Sequence, residues 1–100
     1  MSTDPAFQMP VEDVFMIRGR GTVVTGRIEQ GTLKVGDEVY LKRQGIFKKI
    51  VVTGIETFRK QVQEARSGEN VGVLLGSITK DDVQRGDQLT GSDSEYSWNT

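Results

Sequence analysis

Few side chains in this sequence could perform covalent chemistry, so each candidate is judged by its spacing. The chain has no histidine and no cysteine, which excludes the commonest general base, thiolate-bound metals and every Ser-His or Cys-His nucleophile. Glu12 and Asp13 are adjacent carboxylates. Neighbouring residues on a strand point to opposite faces, so this pair cannot act as a matched acid and base.

Two further groups of residues have the composition of a ligand site but the wrong spacing. Gly19-Arg20-Gly21 precedes a predicted strand rather than a helix, and the chain has no Gly-Lys-Ser/Thr triplet. A phosphate-binding P-loop and a dinucleotide fingerprint are therefore missing, and we expect no enzyme activity from this chain by itself. Asp81, Asp82 and Asp87 match no calcium-loop spacing. We expect no bound metal and no cofactor.

Composition predicts one small cytoplasmic domain. The 100 residues have a net charge of −1, which is unusual for a dedicated nucleic-acid binder. The charge is unevenly distributed, since residues 14–68 hold eleven basic against five acidic residues. This excess could attract a phosphate backbone, although a solvated exterior with mixed charges is the more ordinary interpretation. No secretory signal and no membrane-spanning segment is evident.

The chain is organised around residues 11–27, which read as two strands joined by a glycine-arginine turn. Alternating apolar residues continue this pattern through the chain. Residues 60–68 read as a polar connection, and Thr79 as the cap of a short helical turn that Gly86 ends. The six expected strands cover about 9–18, 22–29, 38–42, 47–59, 70–75 and 87–90.

Gly54 interrupts the longest of these strands, where both faces are apolar. A glycine within a strand suggests a bulge. A bulge there would reverse the inward face, so Glu56 need not point into the core. Short antiparallel strands with little helix predict an all-β fold, a closed six-stranded antiparallel Greek-key β-barrel. We expect a flexible arm at 1–8, from which Phe7 could contact the barrel, the barrel at 9–90 and a disordered tail at 91–100.

The sequence resembles domain two of elongation factor Tu over about residues 9–90. The segments that carry the resemblance occur in the family's order, and GRGTVVTGRIE and ENVGVLL are the most specific. The resemblance implies a translation module with the six-stranded Greek-key barrel of that family. In the family this domain helps to hold the 3′ end of aminoacyl-tRNA where it meets the GTPase domain.

The resemblance also implies a binding site on this chain. Residues around the esterified amino acid correspond to Glu12, Asp13, Phe15, Thr25 and Asn70, and those at the terminal adenosine to Glu56 and Arg59. Carboxylates and an amide can hold a cationic α-amino group. Arg59 can bind phosphate or ribose, and Glu56 can contact the adenine or the region of its 2′-OH. The expected partner is therefore the aminoacyl-tRNA 3′ end or ribosomal RNA.

Each of these residues has an ordinary structural alternative. Phe15 could belong to the core, and Thr25 could be a plain exposed strand residue. Glu12 and Glu56 could pair with basic side chains, and Asn70 could bond its own backbone in a turn. A protein-interaction module that docks a separate GTPase or another protein is a second interpretation. A translational GTPase, or a fragment of one, is a third.

The termini depart from the family pattern. Met1 with an unfamiliar arm, and a final segment unlike the family's linker, favour a free-standing protein over an excised domain. Half of the family's aminoacyl-end pocket comes from the GTPase domain. One barrel alone is therefore expected to bind weakly, with a Kd of about 10 μM to 1 mM.

Overall fold

A computed structural model describes residues 3–58, 60–76 and 78–92. They form an all-β structure whose single helical element is a 3₁₀ turn at Lys80–Asp82. The strands are β1 (Gln8–Pro10), β2 (Asp13–Ile17), β3 (Gly21–Arg27), β4 (Thr32–Lys34), β5 (Glu38–Arg43), β6 (Ile46–Thr57), β7 (Lys60–Val62), β8 (Glu64–Arg66), β9 (Asn70–Leu75) and β10 (Gln88–Thr90).

Most of these strands join one curled sheet in the order β1-β10-β5-β6-β9-β3-β2, with β7 paired to β6. β4 and β8 form a separate two-stranded sheet. Every strand pair among the described residues is antiparallel. The all-β prediction is therefore confirmed, with a sheet that curls into a half-barrel.

The expected first strand is divided in two. β1 pairs with β10 and β2 pairs with β3, so two halves of one segment have different neighbours. Val11 and Glu12 lie between them: the Val11 N–H donates to the Asp87 carbonyl and the Glu12 N–H to the Thr25 carbonyl, both at 2.8 Å. The strand is broken because it changes partners at this point.

The bulge expected in the longest strand is present. Val52 lies opposite Leu75 and Gly54 opposite Leu74, so Thr53 is the extra residue. Val52 is buried before the bulge and Ile55 after it. Two consecutive inward residues are thus three positions apart instead of two, and Glu56 faces outward.

The apolar alternation of the other strands also leads to the expected core. Val39 and Leu41 are buried on β5, and Val71, Val73 and Leu75 are buried on β9. The largest fully buried side chains are Phe7, Met9, Ile28, Leu33, Ile55 and Leu89. Both sheets contribute to this core, since Leu33 lies on β4.

The start of the packed structure precedes the expected boundary at residue 9. Phe7 is fully buried, and its carbonyl accepts the Gly91 N–H at 2.9 Å. The Asp4 carboxylate accepts the Thr32 N–H at 3.0 Å. The arm expected at 1–8 is therefore packed from residue 3 onward, because it supplies an apolar side chain to the core. Of the expected tail, residues 93–100 lie outside the described residues.

Two other expectations need correction. The polar connection predicted for 60–68 contains β7 and β8, because Val62 and Ala65 lie opposite Ile55 and Leu33 and pack inward. The described residues therefore contain ten strands, because β4, β7 and β8 are added to the expected ones and the first expected strand is divided. The turn capped by Thr79 is as expected at its start, where the Thr79 N–H donates to the Asp82 carboxylate at 3.0 Å. It ends at Asp82, however, rather than at Gly86.

Gly26 is required where β1 crosses close to β3. A Cβ on this residue would lie 2.2 Å from the Pro10 carbonyl oxygen, which is backbone and cannot rotate away. We expect Gly26→Ala to lower the free energy of unfolding by about 2–3 kcal/mol through overpacking. Urea unfolding measures this.

The matched control is Gly54→Ala. Its Cβ would be 3.5 Å from Leu74 atoms, an ordinary van der Waals distance. We expect this variant to change the free energy of unfolding by less than about 1 kcal/mol. Equal stability of the wild type and Gly26→Ala would contradict the close approach of β1 and β3.

Candidate functional site

Three of the candidate residues lie in one row across four neighbouring strands. In the strand register Asp13 is opposite Thr25, Thr25 is opposite Gly72, and Gly72 is opposite Glu56. On β3, β6 and β9 these positions lie next to buried residues, and on β2 the partly buried Val14 packs against the core, so the row faces outward. At about 4.8 Å between strands, the row is about 14 Å long. We call it the polar row.

An apolar row lies directly beside the polar row on the same face. It consists of Phe15, Val23, Leu74 and Gly54 in matching register. Phe15 is 50% exposed, so the alternative that it belongs to the core is wrong. Val23 is nearly covered, at 8% exposed. The two rows together place an apolar strip beside hydroxyl and carboxylate groups.

Gly72 forms a gap in the middle of the polar row. A Cβ at this position would be 3.4 Å from Val23 Cγ1 and 4.0 Å from Thr25 Cγ2. The polar row therefore has no side chain at the position between Thr25 and Glu56. The sequence analysis overlooked this residue, although a glycine at an outward position of a strand between buried valines is a usable signal.

Arg20 holds the Glu56 carboxylate. Its Nη1 atom is 2.6 Å from Glu56 Oε2, and the two side chains are 36% and 34% exposed. The pair joins the turn between β2 and β3 to β6 and so spans the outer face. The alternative that Glu56 pairs with a basic residue is therefore confirmed. One carboxylate oxygen is engaged in this pair, and exposed pairs of this kind contribute little to stability.

Arg85 holds the other end of the polar row. Its Nη2 donates to Asp13 Oδ1 at 2.5 Å and its Nε donates to the Glu12 carbonyl at 2.9 Å. The hydrogen bond from Arg85 to Asp13 raises the pKa of Arg85, and the charge of Asp13 adds to the effect. Sequence reasoning missed Arg85 because it lies 72 residues from Asp13 in a turn with no motif of its own.

The remaining candidates lie around this face. Asn70 is opposite Arg27, one row beyond Thr25 and Gly72, and is exposed on the same side. Glu12 is exposed at the break between β1 and β2. Arg59 lies outside the described residues. The structure thus brings Asp13, Phe15, Thr25, Glu56 and Asn70 to one outer surface, with Glu12 at its edge.

Two acidic residues near the 3₁₀ turn, Asp82 and Asp87, have protein partners. The Thr79 N–H lowers the pKa of Asp82, and Lys48 adds to this effect. Asp87 receives two hydrogen bonds from the Arg43 guanidinium. Within the described ranges no three acidic, histidine or cysteine side chains are grouped as metal ligands would be. Nor does any helix in these ranges have the length and apolar character needed to cross a membrane.

A comparison with known families gives the relationship. The family model for elongation factor Tu domain 2 matches residues 21–90. This chain belongs to the elongation factor Tu domain 2 family. The match includes Thr25, Glu56, Arg59 and Asn70, whereas Glu12, Asp13 and Phe15 precede it. The strands β3 to β10 all fall within the matched range.

Arg85 is expected to position Asp13 more than to stabilise the domain, because both side chains are largely exposed. We expect Arg85→Gln to leave the urea midpoint nearly unchanged while the Asp13 side chain populates several χ1 rotamers. Three-bond scalar couplings measure the rotamers. Arg66→Gln, which removes a 3.6 Å pair with Glu64, is the control and leaves Asp13 in one rotamer. A single Asp13 rotamer in Arg85→Gln would contradict this role.

Proposed function

We propose that this chain is a translation-factor module that binds the 3′ aminoacyl end of tRNA, or ribosomal RNA, and is not catalytic by itself. The observation that carries the proposal is the polar row, which aligns Asp13, Thr25 and Glu56 with Gly72 between the last two. Membership in the elongation factor Tu domain 2 family supports the assignment to translation.

The chemistry of the face fits an aminoacylated RNA end. Splayed terminal nucleotides have free base edges and ribose hydroxyls, which Thr25 and the second oxygen of Glu56 can bind. The apolar row offers Phe15 and Leu74 to an aminoacyl side chain or a base face. Glu12, Asp13 and Asn70 would orient the α-amino group, and Arg59 would bind a phosphate or ribose.

The proposed binding is weak. The aligned face is short, and its two carboxylates already have arginine partners, Arg20 and Arg85. A ligand must therefore share or replace existing bonds, which returns little free energy beyond the cost of association. We expect a Kd of about 10 μM to 1 mM. Full affinity would need a second protein surface, such as a separate GTPase in the cytoplasm.

The proposal includes a closed six-stranded Greek-key barrel. In its support, the segment from β1 to β2 bonds to β10 on one side and to β3 on the other. Because β1 and β2 are the two ends of the sheet order and are consecutive in the chain, this segment would complete the circle. Counted this way, the barrel strands are β1 with β2, β3, β5, β6, β9 and β10. The barrel would extend from about residue 7 to residue 91.

A protein-interaction module is the second candidate. Phe15 and Met16 are each about half exposed, at 50% and 51%, on the last strand of the sheet order. Phe15 lies on the same outer face as the polar row, whereas Met16 points to the opposite side of the strand. Exposed apolar side chains of this size are typical of protein contacts. In this case the same face would dock a protein, and the binding would persist at high salt, whereas RNA binding would weaken.

The proposal is tested by NMR titration with a non-hydrolysable 3′-aminoacylamino-adenosine. We expect saturable shifts of the Thr25, Gly72 and Asn70 amides at millimolar ligand. Glu56→Gln should weaken binding about tenfold, since a hydrogen bond to a charged group is worth about 1.5–3 kcal/mol. Glu64→Gln removes an exposed carboxylate on β8 and should not change binding. Unshifted Thr25 and Asn70 amides at millimolar ligand would contradict the proposal.

A further inference from the structure

A second surface, on the β5–β6 hairpin, carries cations beside aromatic rings. Tyr40 lies opposite Lys49 and Lys42 lies opposite Phe47. Opposed residues of an antiparallel pair share a face, and Leu41, which lies between Tyr40 and Lys42 on β5, is buried. The four side chains therefore point outward together. We call them the basic hairpin face.

The aromatic rings of this face are arranged as a unit. The Tyr40 and Phe47 rings meet edge to face, with centroids 6.4 Å apart and planes at 83°. Lys42 Nζ lies 5.9 Å from the Phe47 ring centroid, within cation–π range. Two half-buried rings held at right angles, with an ammonium group beside one of them, offer both a stacking surface and a charge for phosphate.

The hairpin also has an excess of positive charge. Residues 38–51 contain four basic residues, Lys42, Arg43, Lys48 and Lys49, against the single acid Glu38. Lys49 Nζ is 3.9 Å from Glu38 Oε1, and both side chains are more than half exposed. Exposed pairs at this distance are weak, so a phosphate can replace the Glu38 carboxylate at little cost.

Arg43 differs from the lysines. Arg43 Nη2 is 2.7 Å from Asp87 Oδ2, and the Asp87 side chain is only 2% exposed. This pair joins β5 to the segment that precedes β10 and is structural. The proposal therefore rests on Lys42 and Lys49 and not on Arg43.

Strand β6 connects this face to the polar row. Phe47 and Lys49 face outward before the bulge at Thr53, and Glu56 faces outward after it. Lys49 and Glu56 are seven positions apart, about 23 Å along an extended strand. Both surfaces therefore lie on the outside of the same strand, close enough for one RNA to contact both.

We infer that the basic hairpin face binds single-stranded RNA. Cations that follow a backbone next to aromatic rings that stack on bases are the chemistry of sequence-tolerant single-strand binding. The inference rests on the proposed function for the choice of RNA. An acidic protein would pair with the lysines but would make no use of Tyr40 and Phe47. The face would bind nucleotides upstream of an RNA end held at the polar row.

The test is fluorescence binding of an oligouridylate of about eight nucleotides, without an aminoacyl group, as a function of salt. Each phosphate neutralised on a single strand contributes about 0.7 to the slope of log K against log salt. We expect Lys42→Gln with Lys49→Gln to reduce the slope by about 1.4. Phe47→Leu, which keeps an apolar side chain, should weaken binding about tenfold through lost stacking.

The charge-matched control is Lys34→Gln with Arg66→Gln, on β4 and β8, which should leave the slope unchanged apart from a small general effect. The inference would be overturned if the slope of log K against log salt were equal in the wild type and the Lys42/Lys49 variant. It would also be overturned if the control variant lost as much slope as the Lys42/Lys49 variant. Polyglutamate that binds as tightly as the RNA would overturn it too. If Phe47→Leu does not fold, the lysine variant decides.

The two proposals fail separately. The Lys42/Lys49 variant should bind aminoacylamino-adenosine as the wild type does, and Glu56→Gln should bind oligouridylate as the wild type does. Loss of oligouridylate binding in Glu56→Gln with none in the lysine variant would overturn the inference and leave the polar row as the RNA contact. If the Thr25 and Asn70 amides do not shift with the adenosine analogue while oligouridylate binding shows the expected salt slopes, the proposed function alone is overturned.

Discussion

The outer surface of this domain depends on one extra residue in β6. In a regular strand every second residue faces the same side, so Ile50, Val52, Gly54 and Glu56 would all point inward. Thr53 has no partner in the register, and the inward position passes from Val52 to Ile55. A carboxylate that would have been buried without water is thereby moved to the surface, which avoids a desolvation cost of several kcal/mol.

The same bulge explains why one strand can serve two surfaces. Before Thr53, β6 pairs with β5 and presents Phe47 and Lys49. After it, β6 pairs with β9 and presents Glu56. The extra residue also increases the local twist of the strand, which lets the sheet curl at this point. The fold and the location of the candidate sites thus have a common cause.

The charges on the polar row are fixed by residues distant in sequence. Arg20 reaches Glu56 from the turn between β2 and β3, and Arg85 reaches Asp13 from the turn before β10. Each arginine orients a carboxylate while leaving it partly exposed. The pairs contribute little to folding in water, and their effect is to hold the acidic side chains in one geometry.

Local patterns in the sequence predicted a large part of this architecture. Alternation of valine and leucine gave the inward faces of β5 and β9, and Gly54 marked the bulge. The pattern failed where pairing depends on a distant strand. β7 and β8 are short and polar, and they are strands because β6 and β4 lie beside them. Contact of Phe7 with the barrel was expected, but its complete burial was not, because a single apolar residue in a polar segment has no period.

The candidate site, too, was predictable from the sequence only in part. The resemblance to the family supplied the seven residues, and the register shows that Asp13, Thr25 and Glu56 are aligned. Arg85 and Gly72 came only from the structure. Arg85 contacts Asp13, which is 72 positions away in the sequence. Gly72 matters because it has no side chain. Neither property belongs to a local motif.

The central claim is the proposal that the polar row, at Gly72, receives an aminoacylated RNA end. Intermolecular nuclear Overhauser effects between bound aminoacylamino-adenosine and the protein test it most directly. The account predicts contacts from the ligand to the Gly72 Hα protons and to the Phe15 ring. Contacts confined to β4 and β8, with none to Gly72 or Phe15, would contradict it.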